Sequence, residues 1–341
     1  MGKPTVHDIA REAGVSLATV DRVLNQRPGV RDITARRVRQ AIDKLGYVRD
    51  LYAADLARQK QYRFDFLLPE AQSQFLGSVQ DALLEAQTGM MSDRATIKVH
   101  ALDWRDPAAV LRARQRVDFD QADGVAIMAN ETPMVRDMIS RLKDQGRSVV
   151  ALVTDQPNSA REHFVGIDSR AAGRTAGRLM SRFTTRPGEI AVVVSAMQSR
   201  DMLERRLGFD ETLATEGGRL RPLPSLEGHD DHKRTAEILD RCVELNPNIA
   251  GIYCASGGTR GITEVVRKHN LVGRVAVICH ELTPHARDAL ENGWIDVVIT
   301  QNPGHLVRSA LRVLRAHCSG APVIASQEKI RIEIVLKENL P

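Results

Sequence analysis

The sequence predicts an α/β protein, a small helical head followed by a two-lobed body of parallel sheets with helices on both faces. Three observations carry this. Residues 1–60 hold twelve Lys or Arg against seven Asp or Glu, whereas the rest of the chain balances at 36 of each. From residue 61, short apolar runs alternate with amphipathic stretches of helical period. The chain has 341 residues, and the alternating part alone exceeds one comfortable sheet. With 43% hydrophobic and 27% charged residues, the composition is that of a globular protein. No apolar run reaches the ~18 residues of a membrane span. Met1 to Ala10 carries Asp8 and His7 where a secretory signal has its apolar core, which predicts a cytoplasmic protein. Cys242, Cys254, Cys279 and Cys318 form no Cys-x-x-Cys pair and read as reduced apolar residues.

The head reads as three helices. Thr5 and Asp8 have capping-box spacing, and Val6, Ile9, Ala10 and Ala13 share a face. Gly14 permits a turn, Ser16 caps a second helix from Leu17 to Asn25, and Asp32 or Thr34 opens a third that stops at Gly46. Two short helices joined at a glycine turn make a helix-turn-helix. With its basic surplus, this module is suited to DNA. The second helix would put Leu17, Ala18 and Arg22 at base edges, Arg22 donating twice to a guanine. Ser16, Thr19, Asn25 and Thr34 suit phosphate oxygens, and Thr5 and His7 complete the DNA-facing set. The competing reading is a three-helix bundle for protein contacts.

The stretches Val6-His7-Asp8-Ile9-Ala10, Ala13-Gly14-Val15-Ser16, Ala18 to Asn25 and Leu45-Gly46-Tyr47 resemble the lactose-repressor (LacI) family of bacterial transcription regulators. Asp21 stands where that family usually has Ser. The resemblance implies a homodimer, with a tetramer as the alternative, on a near-palindromic operator. It also implies a short hinge helix over 49–60 that orders on DNA. There Leu56 matches the leucine that wedges into the minor groove. Arg49-Asp50 replaces the usual Pro-Asn, and Asp55 adjoins the wedge. The division is then a head over 1–48, a hinge over 49–60 and a body over 61–341. The N-lobe is expected at about 61–158 and 299–320, the C-lobe at about 163–295 and 321–341.

In the body, Phe64–Leu68, Val125–Met128, Val149–Val153, Ala191–Val194, Ile249–Cys254, Val275–Cys279 and Val297–Ile299 read as strands. Ligands of open parallel sheets bind beyond the carboxyl ends of strands. Asn130, Asp155, Ser256, Glu281 and Gln301 recur at that end, a set suited to a ligand rich in hydroxyls. Phe75, in the first strand-to-helix connection, could cover an apolar sugar face. The body resembles the two-lobed periplasmic sugar-binding fold that the family uses as its sensor. By that resemblance Leu152-Val153-Thr154-Asp155 carries a sugar-binding Asp. Arg205, before Gly208-Phe209, is a ligand arginine, Arg200 stands close to it, and Glu281 takes the place of a common Asp. A usual Asn is replaced by Ala255-Ser256, and a frequent stacking aromatic is absent near Asp230, so the pocket is expected to be more polar than usual.

His280-Glu281-Leu282-Thr283-Pro284-His285 lacks zincin spacing, and His229-Asp230-Asp231-His232 reads as a loop capping a helix. Gly257-Gly258-Thr259-Arg260-Gly261 has no nucleotide-loop spacing. The reading is a regulator without catalytic activity, metal or cofactor, cytoplasmic and nucleoid-associated, responding to a small carbohydrate. The alternative is a carbohydrate-active enzyme or sugar-binding protein with a basic N-terminal module. The enzyme would need a catalytic pair, and the sequence shows none.

Overall fold

A computed structural model describes residues 4–24, 27–47, 60–70, 73–90, 95–103, 106, 108–109, 112–113, 119–215 and 217–341. Asn25, Leu56 and the expected hinge apart from Lys60 lie outside them. The chain divides into two compact units, Met1–Lys60 and Gln61–Pro341.

The first unit contains α1 (Val6–Ala13), α2 (Leu17–Leu24) and α3 (Asp32–Leu45). The capping box forms: Thr5 N donates to Asp8 Oδ2 at 2.9 Å, and Asp8 N donates to Thr5 Oγ1 at 3.4 Å. Gly14 and Gly46 end α1 and α3 at φ +61° and +60°, a left-handed conformation that glycine adopts freely. Ile9, Val20 and Val38, one from each helix, are fully buried together. Lys44 Nζ bonds Glu12 Oε1 at 2.5 Å and ties α3 to α1.

The second unit has two sheets. The first contains β1 (Tyr62–Pro69), β2 (Ala95–Leu102), β3 (Gly124–Ile127), β4 (Ser148–Leu152) and β5 (His163–Val165), all parallel, in the order β2-β1-β3-β4-β5. It carries α4 (Gln74–Met90) and α5 (Pro133–Asp144). The second sheet contains β6 (Gly188–Val194), β7 (Leu220–Glu227), β8 (Ile249–Cys254), β9 (Ala276–His280), β10 (Val297–Thr300) and β11 (Glu333–Val335). Its order is β11-β10-β9-β8-β6-β7, with β11 antiparallel to β10. Its helices are α6 (Ser169–Phe183), α7 (Arg200–Ala214), α8 (His232–Leu245), α9 (Thr259–Lys268) and α10 (Pro284–Glu291).

The chain then returns to the first lobe. There α11 (Pro303–Ser319) packs against α4, β3 and β4, and α12 (Ala325–Glu328) packs on α11. Three expected lobe boundaries therefore shift. Strand β5 pairs in the first sheet although the second lobe was expected from 163, and β10 lies wholly in the second sheet although the first was expected to resume at 299. Helix α12 stays with the first lobe, so the third crossing falls between Glu328 and Glu333 rather than at 321. Hydrophobic pattern locates strands, but pairing partners decide which sheet owns them.

A close helix crossing positions the cleft. Helices α6 and α7 meet at glycines: a Cβ on Gly173 would lie 2.0 Å from the Arg205 carbonyl oxygen, and one on Gly208 2.0 Å from that of Arg170. Only glycine allows this approach. Substituting Gly208→Ala is expected to push α7 outward and cost about 1–3 kcal/mol, as overpacking does. Urea unfolding of the variant checks this, and an unchanged midpoint would contradict it.

Candidate functional site

On the head, the residues expected to face DNA are mostly exposed. His7, Ser16, Leu17, Ala18 and Arg22 are exposed, Thr19 and Thr34 half-buried, and Thr5 caps α1. Ser16 Oγ accepts from Thr19 N at 3.3 Å and lies 3.0 Å from Thr19 Oγ1, so it opens α2 as a capping serine should. Leu17 is 42% exposed at the start of α2. Asp21, which sequence placed beside Arg22, bonds Arg27 at 3.3 Å. Helix α3 begins at Asp32, and Thr34 sits in its first turn.

In the body, the carboxyl ends of both sheets converge on a cavity of about 90 Å³. Its lining includes Ser73, Asn130, Thr154, Ser195, Asp201 and Asp230, with Leu76, Met128 and Met202 as the apolar wall. The chain reaches this edge through unusual backbone. Val153 after β4, His229 and Asp230 after β7, and Glu281 after β9 have φ between +53° and +65°. Such conformations cost non-glycine residues ~1–3 kcal/mol each and cluster at functional sites.

The two lobes touch across the cleft. Ser199 Oγ donates to Asn130 Oδ1 at 2.9 Å, and Arg200 Nη1 donates to Glu131 Oε2 at 3.0 Å. Ser199 is the N-cap of α7, yet its hydroxyl makes no capping bond and is spent on this bridge. Glu131 also accepts from Arg136 at 3.2 Å and Asn158 at 2.8 Å. Burial alone would raise the Glu131 carboxyl's pKa, but donors from Asn158, Arg200 and Arg136 outweigh it and leave it below the usual range.

Beneath the cleft lies a buried polar cluster. Arg205 Nη1 donates to the Ala255 carbonyl at 2.7 Å and Nη2 to Glu281 Oε1 at 3.4 Å. Gln301 Nε2 donates to the same Glu281 oxygen at 3.2 Å. Burial pushes the Glu281 carboxyl up, against Arg205 and Gln301, which pull it down. Arg205 Nε, Glu281 Oε2, Gln301 Oε1 and Asp201 Oδ1 are buried without a partner. Below them His280 bonds the Tyr253 hydroxyl at 3.0 Å, and burial, aided by the Arg205 charge, holds this histidine well below its ordinary pKa.

The structure thus brings Asn130 into the cavity and places Arg205, Glu281 and Gln301 together. Asp155 is held by Arg161 through bonds of 2.5 and 2.8 Å. Ser256 is buried just after β8, and Arg200 bridges to Glu131. Phe75 packs on the core of the lobe, while its neighbours Ser73 and Leu76 reach the cavity. Sequence reasoning missed Glu131, Ser195 and Asp201 as members of the site. It met Asp230 as part of a capping loop and as a marker for the place of a missing aromatic. Asp231 does cap α8 there, accepting from Arg234 N, but Asp230 turns to Ser195 Oγ at 2.7 Å and Gly257 N at 3.0 Å.

Two other features stand apart. A cavity of about 570 Å³ opens at the crossings, but its acids are taken up, Asp168 by Ala171 N and Glu328 by Ser309 and Arg312. Asp240, Glu244 and His269 bring donor atoms within 4.8 Å of one another, but Lys268 Nζ already bonds both Asp240 oxygens, at 2.7 and 2.8 Å. Among the described residues no helix is long and apolar enough to cross a membrane.

The buried cluster makes a stability statement. Arg205→Ala would strand Glu281 and the Ala255 carbonyl, with an expected loss of about 3–5 kcal/mol in urea unfolding. Because its folded-state pKa is raised, Glu281 binds its proton more tightly folded than unfolded. Its contribution is therefore greatest at acid pH and falls as pH rises through the folded value. The stability difference between Glu281→Gln and the parent should follow that slope, and a pH-independent difference would contradict it.

Known proteins share both units. Residues 5–50 match the family model "Bacterial regulatory proteins, lacI family", and residues 111–322 match "Periplasmic binding protein domain". The HTH-type transcriptional regulator RegA of Clostridium saccharobutylicum is 25% identical over 269 residues, 78% of each chain. The D-allose-binding periplasmic protein of Escherichia coli (strain K12) is 24% identical over 155 residues, 45% of this chain and 50% of that one. A glucose-galactose binding protein from Geobacillus stearothermophilus has the same fold, with a TM-score of 0.74 at 20% identity, over 83% of this chain and 99% of that one.

Proposed function

Since the chain belongs to the lacI family of bacterial regulatory proteins and carries a periplasmic binding protein domain as its body, we propose that it is a cytoplasmic regulator without catalytic activity. It binds a near-palindromic operator as a homodimer, and a small carbohydrate in the interlobe cleft controls its affinity. The observation that carries this is the pair of bridges Ser199–Asn130 and Arg200–Glu131. They span a cavity of about 90 Å³, well under the roughly 300–1,000 Å³ of a small-molecule site. A ligand of that size has to part the bridges to enter, so its binding alters the relation of the lobes.

The DNA contacts follow from exposure and chemistry. Arg22 reads a guanine, Leu17 and Ala18 offer apolar contact to a thymine methyl, and Thr5, His7, Ser16, Thr19 and Thr34 take phosphates. Asn25 joins the phosphate set and Leu56 the minor groove by family resemblance. Asn130, Asp155, Arg200, Arg205, Ser256, Glu281 and Gln301 form the ligand set, with Phe75 at its edge. RegA, by its name a transcriptional regulator, and the D-allose-binding protein, by its name a sugar binder, support the two halves of this reading.

Two measurements test it. Arg22→Ala should cost ~1–3 kcal/mol at one base-pair position and relax specificity there. Equal losses on operator and random DNA would reject the assignment. Ligand and operator affinities should also change by one common factor, ~5–150-fold, when each is measured with and without the other. Independent affinities would remove the sensor from the regulator.

A further inference from the structure

We propose that the cleft selects an uncharged polyhydroxylated compound and rejects its phosphorylated or carboxylated derivatives. This rests on the reading of the cleft as the ligand site and specifies its ligand.

Two carboxylates, Asp201 and Asp230, line the cavity, and no Lys or Arg does so among the described residues. The guanidiniums nearby are already engaged. Arg161 gives two hydrogen bonds to Asp155. Parting the Arg200–Glu131 bridge releases a carboxylate along with the guanidinium, and Arg200 still holds Glu204 at 2.9 Å. Arg205 serves the Ala255 carbonyl and Glu281. An incoming phosphate would meet Asp201 and Asp230 with no Lys or Arg among the described lining residues to offset them, in a site where burial weakens screening.

The unpartnered atoms point the same way. In the buried cluster Asp201 Oδ1, Glu281 Oε2 and Gln301 Oε1 are acceptors and Arg205 Nε is a donor; His280 Nδ1 is also unpartnered and takes either role with its tautomer, so acceptors outnumber donors in both cases. Asp201 and Glu281 belong to one electrostatic unit, since the Asp201 charge helps raise the Glu281 carboxyl. Buried acceptors call for donors. Each hydroxyl of a polyol supplies one, whereas a phosphate dianion or carboxylate supplies none. The wall is aliphatic and sulfur-bearing, Leu76, Met128 and Met202, and suits the C–H side of such a molecule.

The test uses the full chain and matched pairs: D-mannitol and D-mannitol 1-phosphate, myo-inositol and myo-inositol 1-phosphate, D-glucose and D-glucose 6-phosphate, with D-gluconate as the carboxylate. Thermal shift finds the binders and calorimetry measures them. The expected result is that at least one neutral member binds while its charged partner binds about a hundredfold more weakly, the scale of an unrelieved like-charge contact. Asp201→Arg should shrink that ratio at least tenfold, and Asp201→Asn should shrink it less. Asp201→Asn serves alone if the arginine variant fails to fold. A charged member that binds as tightly as its neutral partner overturns the inference and leaves the regulator reading intact. A parent protein that ignores every pair, neutral and charged, overturns the carbohydrate-sensor reading and this inference with it.

Discussion

One guanidinium, that of Arg205, joins the ends of three strands in the second lobe. It holds the carbonyl of Ala255 just past β8 and the carboxylate of Glu281 just past β9. Through that carboxylate it is linked to Gln301, just past β10. A charge this deeply buried survives only where its desolvation is met by partners in good geometry. The seat of α7 is therefore set from two sides, by Arg205 within the sheet edge and by Gly173 and Gly208 against α6. The same helix delivers Arg200 and Asp201, and Ser199 just before it, to the cleft. Site and scaffold share one helix, and its placement is over-determined.

The cleft also stores energy in its backbone. Val153, Asp230 and Glu281 each turn through the left-handed region at the end of a strand. For a β-branched residue such as Val153 this is a strong outlier. The turns lie beside Thr154, which lines the cavity, and set the carboxylates of Asp155, Asp230 and Glu281. Hydrogen bonds from Ser195, Gly257, Arg161 and Arg205 hold those carboxylates in place. These bonds fix the carboxylates before anything enters the cleft, so this edge is pre-organised.

The central architecture was legible because buried parallel strands are continuous apolar runs: β1, β3, β4, β6, β8, β9 and β10 all coincide with such runs. The strands that escaped, β2, β5, β7 and β11, lie at sheet edges. Strand β2, for example, reads Ala-Thr-Ile-Lys-Val-His-Ala-Leu, with Thr96, Lys98 and Val99 exposed. Edge strands alternate or turn polar, and their signal sinks into that of loops. The helices of the head were legible because their caps are local, as Thr5, Asp8, Gly14 and Gly46 show. Position at the carboxyl edge was legible where a residue directly follows a strand: Asn130 lines the cavity, and Glu281 and Gln301 fall in the buried cluster. It was not legible for Asp201 and Glu131. A carboxylate near a helix N-terminus is ordinary in sequence, and only the meeting of two distant segments brings it to the cleft.

The return of the chain also governs how the molecule is made. The first lobe spans 61–165 in sequence, yet α11, at 303–319, closes its core, with Leu306, Val307, Ala310 and Leu314 packed among its strands. The second sheet gains its last strand, β11, only at Glu333–Val335. Neither lobe can be complete until nearly the whole polypeptide has left the ribosome, whereas the three helices of the head need only the first 47 residues. Synthesis therefore presents a finished head long before a finished sensor, and a nascent chain stalled in the second lobe carries a recognition module joined to an unfinished body with its apolar faces uncovered.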